Sequence, residues 1–155
     1  MQILIDLDYT LLDTDKFRVN IDENMDNLRD FLYPDALAFL KYAEKFGTPT
    51  LFSEGELDFQ KTKIEMTGLT GIFGNNIKLY PSYQKLFDLE KMHNPTEVIV
   101  VDDKPDIIDQ AISLGMKTIR INRGKYKDMP TKLTPLYKVN DLEEIIKKDL
   151  FASLH

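Results

Sequence analysis

Two short apolar runs that each end on aspartate constrain this chain most: Ile3-Leu4-Ile5 before Asp6, and Val98-Ile99-Val100-Val101 before Asp102. A strand with one face in water alternates apolar and polar side chains, whereas a strand covered on both faces reads as an unbroken run. Both runs are too short for an ordinary helix and are rich in Ile and Val. They therefore predict strands buried in the middle of a layered structure. Thr50-Leu51-Phe52, Ile77 to Tyr80 and Thr118 to Ile121 are further candidate strands.

Helical patterns fill the intervals. Ala36, Phe39, Leu40, Ala43 and Phe46 form one stripe, with Pro34 before it and Gly47 after it. Ile107, Ile108, Ala111 and Ile112 repeat the spacing and stop at Gly115. Leu142, Ile145, Ile146 and Leu150 repeat it again, where Asn140 and Glu143 have the spacing of a capping box. Further helices are expected from about Glu56 to Met66 and from about Tyr83 to Met92. Strands alternating with helices predict an α/β three-layer sandwich: a central, mainly parallel five-stranded sheet with helices on both faces and right-handed crossovers. With 155 residues and no repeat or linker, residues 1–155 are read as one domain.

One segment breaks the alternation. Residues 15–33 are polar, acidic and weakly periodic. Val19 and Ile21 alternate as in a short strand, while Met25, Leu28 and Leu32 stand at helical spacing. The expectation is a small flap or cap-like insertion, a short strand followed by a helical piece, beside the end of the first strand.

Composition removes whole classes of chemistry. The chain has no cysteine, so disulfides, thiolate zinc sites and cysteine nucleophiles are excluded. Its two histidines are His93 and His155, too few for a histidine-rich metal site. A net charge of -6 argues against nucleic acid as a partner, which wants a basic face. No apolar stretch approaches the length of a bilayer span, and charge follows Met1 too soon for a signal peptide. No membrane partner is expected, and the cytoplasm is the expected compartment. There is no GxxxxGK[ST] or GxGxxG loop, and no serine triad is apparent.

The polar residues gather at the C-terminal ends of the predicted strands, the edge where open α/β sheets bind ligands. Asp6-Leu7-Asp8-Tyr9-Thr10 follows the first strand, Ser53-Glu54-Gly55 the second, and Asp102-Asp103-Lys104-Pro105-Asp106 the fourth. Lys85 lies one helix upstream of the fourth. Asp6, Asp8 and Asp102 or Asp103 would converge on one small volume. Carboxylates at close range must protonate or be neutralised by a cation. Oxygen ligands without histidine or thiolate point to magnesium. A lysine and a serine hydroxyl suit phosphate oxygens. A carboxylate can attack phosphorus, and a second carboxyl can move the proton. Taken singly, Asp8 also reads as a turn residue, Ser53 as a helix cap, Lys85 as a solvated helix residue, and Asp103 and Asp106 as caps of the next helix.

Over nearly its whole length the chain resembles the haloacid dehalogenase (HAD) superfamily. Ile5-Asp6-Leu7-Asp8-Tyr9-Thr10-Leu11 is similar to the family's DxDxT loop, Leu51-Phe52-Ser53-Glu54-Gly55 to its second motif, and Val100-Val101-Asp102-Asp103-Lys104-Pro105-Asp106-Ile107 to its fourth. Gln60, Gly68-Leu69, Phe73-Gly74 and Leu114-Gly115-Met116 also fall at family-like places.

The resemblance implies a HAD-like Rossmannoid core, small and capless or minimally capped. It implies a magnesium-dependent phosphatase working through an aspartyl phosphate. Asp6 would be the nucleophile and a metal ligand. Asp8 would be the acid/base, with its backbone carbonyl on the metal, and Asp102 a further ligand assisted by Asp103 or Asp106. Thr10, Ser53, Glu54, Gly55 and Lys85 would hold or brace the phosphate site. Lys78 is the reserve for Lys85, and Lys104 is expected to point elsewhere.

The implied substrate is a phosphorylated small molecule or a larger phosphorylated one, and an exposed site leaves room for a homo-oligomer to close it. Alternatives are a phosphomutase or another phosphotransferase of the family, or a non-catalytic phospho-ligand-binding module on the same fold. A receiver domain would place its adjacent acidic pair early, whereas here the Asp-x-Asp is early and the adjacent pair late.

Overall fold

A computed structural model describes residues 1–20 and 28–154. Six parallel strands form one sheet: β1 (Gln2–Ile5), β2 (Thr48–Glu54), β3 (Ile77–Tyr80), β4 (Val98–Asp102), β5 (Lys117–Ile121) and β6 (Tyr137–Val139). Their order is β3-β2-β1-β4-β5-β6. The expected five-stranded sheet is thus corrected to six. The added strand, β6, is a three-residue edge strand with one fully buried side chain, Val139. Its hydrophobic pattern is too short to stand out.

The alternation along the central strands assigns the layers. Ile3 and Ile5 of β1 and Ile99 and Val101 of β4 enter one core with Leu51. Leu4, Val98 and Val100 enter the other with Phe52. The larger core takes α2 (Ala36–Ala43), α3 (Leu57–Met66), α4 (Leu69–Phe73) and α7 (Leu142–Lys147), through residues such as Phe39, Ile64, Phe73 and Ile145. The smaller takes α5 (Lys85–Glu90) and α6 (Pro105–Ser113), through Leu89, Ile107, Ile108 and Ala111. The capping pair of α7 is displaced by one residue from expectation. Asp141 is the N-cap and accepts from the Glu144 N–H, while Glu144 accepts from the Asn140 N–H.

The insertion after β1 begins as a helix, α1 (Thr14–Asn20), and resumes as a 3₁₀ turn at Leu28–Phe31. The strand expected at Val19 is therefore corrected: Val19 lies in α1. Ile21 and Met25 lie outside the described residues. Helix wins because Phe17 can then bury fully. It packs edge-on against Phe31 at 5.1 Å and against Phe59 of α3 at 5.8 Å. Among the described residues, no helix is long and apolar enough to cross a membrane.

Candidate active site

The sheet register builds the centre. Ile5 of β1 lies beside Val101 of β4. One step further along, Asp6 reaches Asp102, and the Asp6 N–H still bonds the Val101 carbonyl at 3.0 Å. Neighbouring strands are about 4.8 Å apart, so two carboxylates are held together by backbone pairing alone. Both residues follow the alternation of Leu4 and Val100, toward the α5–α6 side of the sheet. Lys85 opens α5 on that side. Its buried ammonium donates to Asp6 Oδ1 at 2.6 Å and also to Asp102 Oδ2.

Asp103 completes the cluster: carboxylate oxygens of Asp6, Asp102 and Asp103 all lie within 4.8 Å of one another. All are buried, and Asp103 Oδ2 has no hydrogen-bond partner among the described residues. Burial, then the neighbouring Asp102 charge, pushes Asp6 up to about 7 against the pull of Lys85. Burial, followed by repulsion from Asp6 and Asp102, raises Asp103 well above the usual carboxylate range. Burial also opposes the Lys85 charge, but Asp102 and Asp6 outweigh it and keep the ammonium protonated. A single ammonium facing this trio leaves negative charge that a cation would relieve.

Asp8 stands apart from the trio and is held by a different set of groups. Its carboxylate accepts from Lys63 Nζ at 2.6 Å, Thr14 Oγ1 at 2.7 Å and Gln60 Nε2 at 2.9 Å. Burial works to raise its pKa, but Lys63 and these hydrogen bonds prevail and lower it. Gln60 also donates to the Glu54 carbonyl, and its amide crosses Gly55 closely. A Cβ at Gly55 would lie 2.4 Å from Gln60 Nε2, so glycine there lets Gln60 reach Asp8.

The other expected residues fall into place unevenly. Thr10 and Ser53 are buried with hydroxyls that have no partner among the described residues. The loop after Asp6 is braced by Thr14, whose oxygen also accepts from the Tyr9 N–H at 3.3 Å. The Glu54 carboxylate accepts from the Lys85 N–H at 3.2 Å and from Lys104 Nζ. The Gly55 N–H donates to the Tyr80 carbonyl. Asp106 is exposed and outside the carboxylate trio; in the first turn of α6 its carboxylate accepts from the adjacent Ile107 N–H. Lys78 is half exposed and faces Asp88 at 3.5 Å, away from the trio.

Two positions escape a motif-based reading, Lys63 and Arg123. Lys63 was concealed because a lysine in an amphipathic helix looks solvated, although this one is 2% exposed. Arg123 follows β5, far from any motif. It donates to the Tyr9 and Thr10 carbonyls, pairs with Asp35 at 3.2 Å and lies 3.6 Å from the Tyr33 ring centroid. Asp35 in turn accepts from the Leu142 N–H at the start of α7. Next in the chain, Gly124 has φ +72° and lies against Tyr9, itself at φ 58°. A Cβ on Gly124 would meet the Tyr9 ring at 2.3 Å. Gly124→Ala should therefore destabilise the fold by about 1–3 kcal/mol, read as a lower urea midpoint. An unchanged midpoint would show that the Tyr9 turn yields without cost.

These groups open onto a cleft of about 900 Å³ that runs from Asp6, Asp8 and Asp103 past Tyr83 and Lys104 to Met129 and Lys132. Thr14 and Arg18 of the insertion lie on its wall.

No protein-family model and no curated protein matches the chain. Solved structures do. A haloacid dehalogenase-like hydrolase from Burkholderia xenovorans LB400 is similar over 99% of this chain and 97% of its own, with TM-score 0.78 and 19% identity. The magnesium-bound HAD-hydrolase YfnB from Bacillus subtilis is similar over 95% and 97%, with TM-score 0.67 and 14% identity. The L-2-haloacid dehalogenase from Xanthobacter autotrophicus is similar over 94% and 98%, with TM-score 0.64 and 13% identity. The chain thus has the haloacid dehalogenase-like fold.

Proposed function

We propose that this chain is a magnesium-dependent phosphatase that forms an aspartyl phosphate on Asp6. The observation that carries this reading is the buried trio Asp6, Asp102 and Asp103, with Lys85 inserted between two of its members. The donor set fits magnesium: carboxylate oxygens only, one of them orphaned, with excess negative charge and no histidine or thiolate among them. Asp6, Asp102 and Asp103 would hold the ion, and the HAD resemblance implies that the Asp8 carbonyl would join them. Bound there, magnesium would offset phosphate charge and act as a Lewis acid.

The rest falls to the chain itself. The Asp6 carboxylate attacks phosphorus, and the bond to the leaving oxygen breaks. Lys85 steadies the equatorial oxygens from the α5 side. The Asp8 carboxyl protonates the leaving oxygen, then takes a proton from the water that releases phosphate. Lys63 favours the Asp8 anion, the form the second half-reaction needs; the proton that Asp8 gives the leaving oxygen is the one it takes from the attacking water in the preceding cycle, or from solvent in the first. Ser53 offers a buried hydroxyl, unpartnered among the described residues, that a bound phosphoryl group would satisfy.

The test is phosphate release from a panel of esters with and without magnesium, together with mass-spectrometric trapping of phosphorylated Asp6. Because the fold is shared with haloacid dehalogenases, halide release from a 2-haloacid is the contrasting assay. Halide without phosphate would overturn the proposal. Asp8 argues for phosphate, since a second carboxyl near the nucleophile can protonate a leaving alkoxide, a step that halide departure does not need.

Metal binding should depend on pH in a definite direction. Asp6 is raised to about 7 in the folded chain from an ordinary 3.8. A carboxyl raised on folding adds stability below its unfolded pKa, and that contribution is lost as pH rises through the folded value. Magnesium requires the deprotonated cluster. The increase in Tm on adding magnesium should therefore be small near about pH 5 and large near about pH 8. An equal increase at both would remove the trio as the binding site.

A further inference from the structure

The reading of Asp6 as a phosphoryl acceptor leaves most of the cleft unexplained. A phosphoryl group fills little of about 900 Å³, a volume within the range of sites for whole organic ligands. Resting on that reading, we propose that the cleft selects phosphomonoesters whose leaving group carries a planar aromatic ring, held between Tyr83 and the wall formed by Tyr126 and Met129.

Tyr83 lies at the cleft mouth with 74% of its surface exposed. Its backbone is at φ 68°, an uncommon conformation for a bulky residue and one that clusters at ligand sites. The other wall is held from within the fold. Arg120 of β5 is 1% exposed, yet its guanidinium donates to the backbone carbonyls of Tyr126, at 2.8 Å, and of Met129. The far end of the same loop is tied to α6, where Asp109 accepts from the Lys132 and Leu133 N–H groups at 3.0 and 2.8 Å. The loop is thus anchored at both ends, and Met129 stays 52% exposed on the cleft. Preorganised walls lower the cost of ordering on binding.

Several donors and acceptors around the slot are already engaged within the fold and hold its walls in place. Gln60 Nε2 is committed to Asp8 and the Glu54 carbonyl, Lys104 to Glu54, Asp109 to the loop, and Gln110 Nε2 to Glu90. An aromatic ring needs only faces, and Tyr83 and Tyr126 both line the cleft. Cations flank those faces: Lys104 Nζ is 5.7 Å from the Tyr83 centroid and Lys125 Nζ is 4.8 Å from that of Tyr126. Lys125 and Lys132 have no ion pair among the described residues, which favours an anionic ligand.

Two matched pairs test this and separate the sources of the ring. A 5′-mononucleotide against ribose 5-phosphate adds a ring beyond a sugar; phosphotyrosine against phosphoserine places the ring on the ester side chain. Affinity is measured by calorimetry on Asp6→Asn with magnesium, and kcat/KM on the unaltered chain. The aromatic member of at least one pair should bind about tenfold tighter, the scale of one ring stacking on an aromatic side chain, and Tyr83→Ala should erase the ratio. The pair that responds tells how far the ring stands from phosphorus. Equal affinities within both pairs, or a ratio that survives both Tyr83→Ala and Met129→Ala, would overturn the slot. A ratio present in binding, with no phosphate released and no phosphorylated Asp6, would support the slot and sink the phosphatase reading alone.

Discussion

Asp6→Asn is expected to remove turnover by at least about 10⁴-fold and to abolish the covalent intermediate, because an amide cannot supply the attacking oxygen. The substitution keeps the side-chain shape and leaves Lys85 its partner Asp102, so the fold should persist. Asp8→Asn should behave differently. Phosphorylation of Asp6 by a donor with a good leaving group, such as acetyl phosphate, should continue, while release of phosphate slows by about 10²–10⁴-fold, the ordinary worth of acid/base help. Mass spectrometry on quenched samples reads both results. Equal loss of the intermediate in the two variants would contradict the division of labour. The geometry supports the division: Asp6 shares the buried trio with Asp102 and Asp103, whereas Asp8 is tied to Lys63, Gln60 and Thr14.

Arg123→Ala should rank next in effect, although Arg123 lies far in sequence from every candidate catalytic residue. The change removes the donors to the Tyr9 and Thr10 carbonyls and leaves the Asp35 carboxylate, 12% exposed, without its ion pair. Breaking a largely buried pair costs about 3–5 kcal/mol. Asp35 keeps the Leu142 N–H, which places the expected loss at the lower end. Displacing the Asp6–Thr10 loop by about 1 Å should cost roughly 10²-fold in turnover. The loss should appear in kcat more than in KM, since Arg123 touches the loop and not the cleft wall. Arg123→Lys should recover little, because an ammonium cannot serve both carbonyls, the carboxylate and the Tyr33 ring at once. Urea midpoints and steady-state kinetics check both parts. A folded variant with full kcat would show that the loop holds itself.

Much of the layered fold was readable because it follows from local pattern. The unbroken apolar runs at Ile3–Ile5 and Val98–Val101 lie, as expected, in the sheet centre at β1 and β4. The strand-end position of Asp6 and Asp102 follows from the same runs, since parallel pairing in register sets the two side by side. Lys85 was legible only as a lysine at a plausible spacing; its burial between two carboxylates depends on the start of α5 arriving at that sheet edge. Tertiary structure alone settled the rest. β6 exists because β5 offers an edge to pair with, not because Tyr137-Lys138-Val139 announces a strand. Val19 joins a helix because Phe17 finds Phe31 and Phe59. Lys63 and Arg123 acquire their partners across 55 and more than 100 residues of chain, through contacts that no periodicity encodes. Burial pattern is a property of neighbouring residues and can be read along the chain. The partner of a buried charge is a property of the completed packing, where desolvation makes an unpaired ion too costly and selects whichever group the fold brings near.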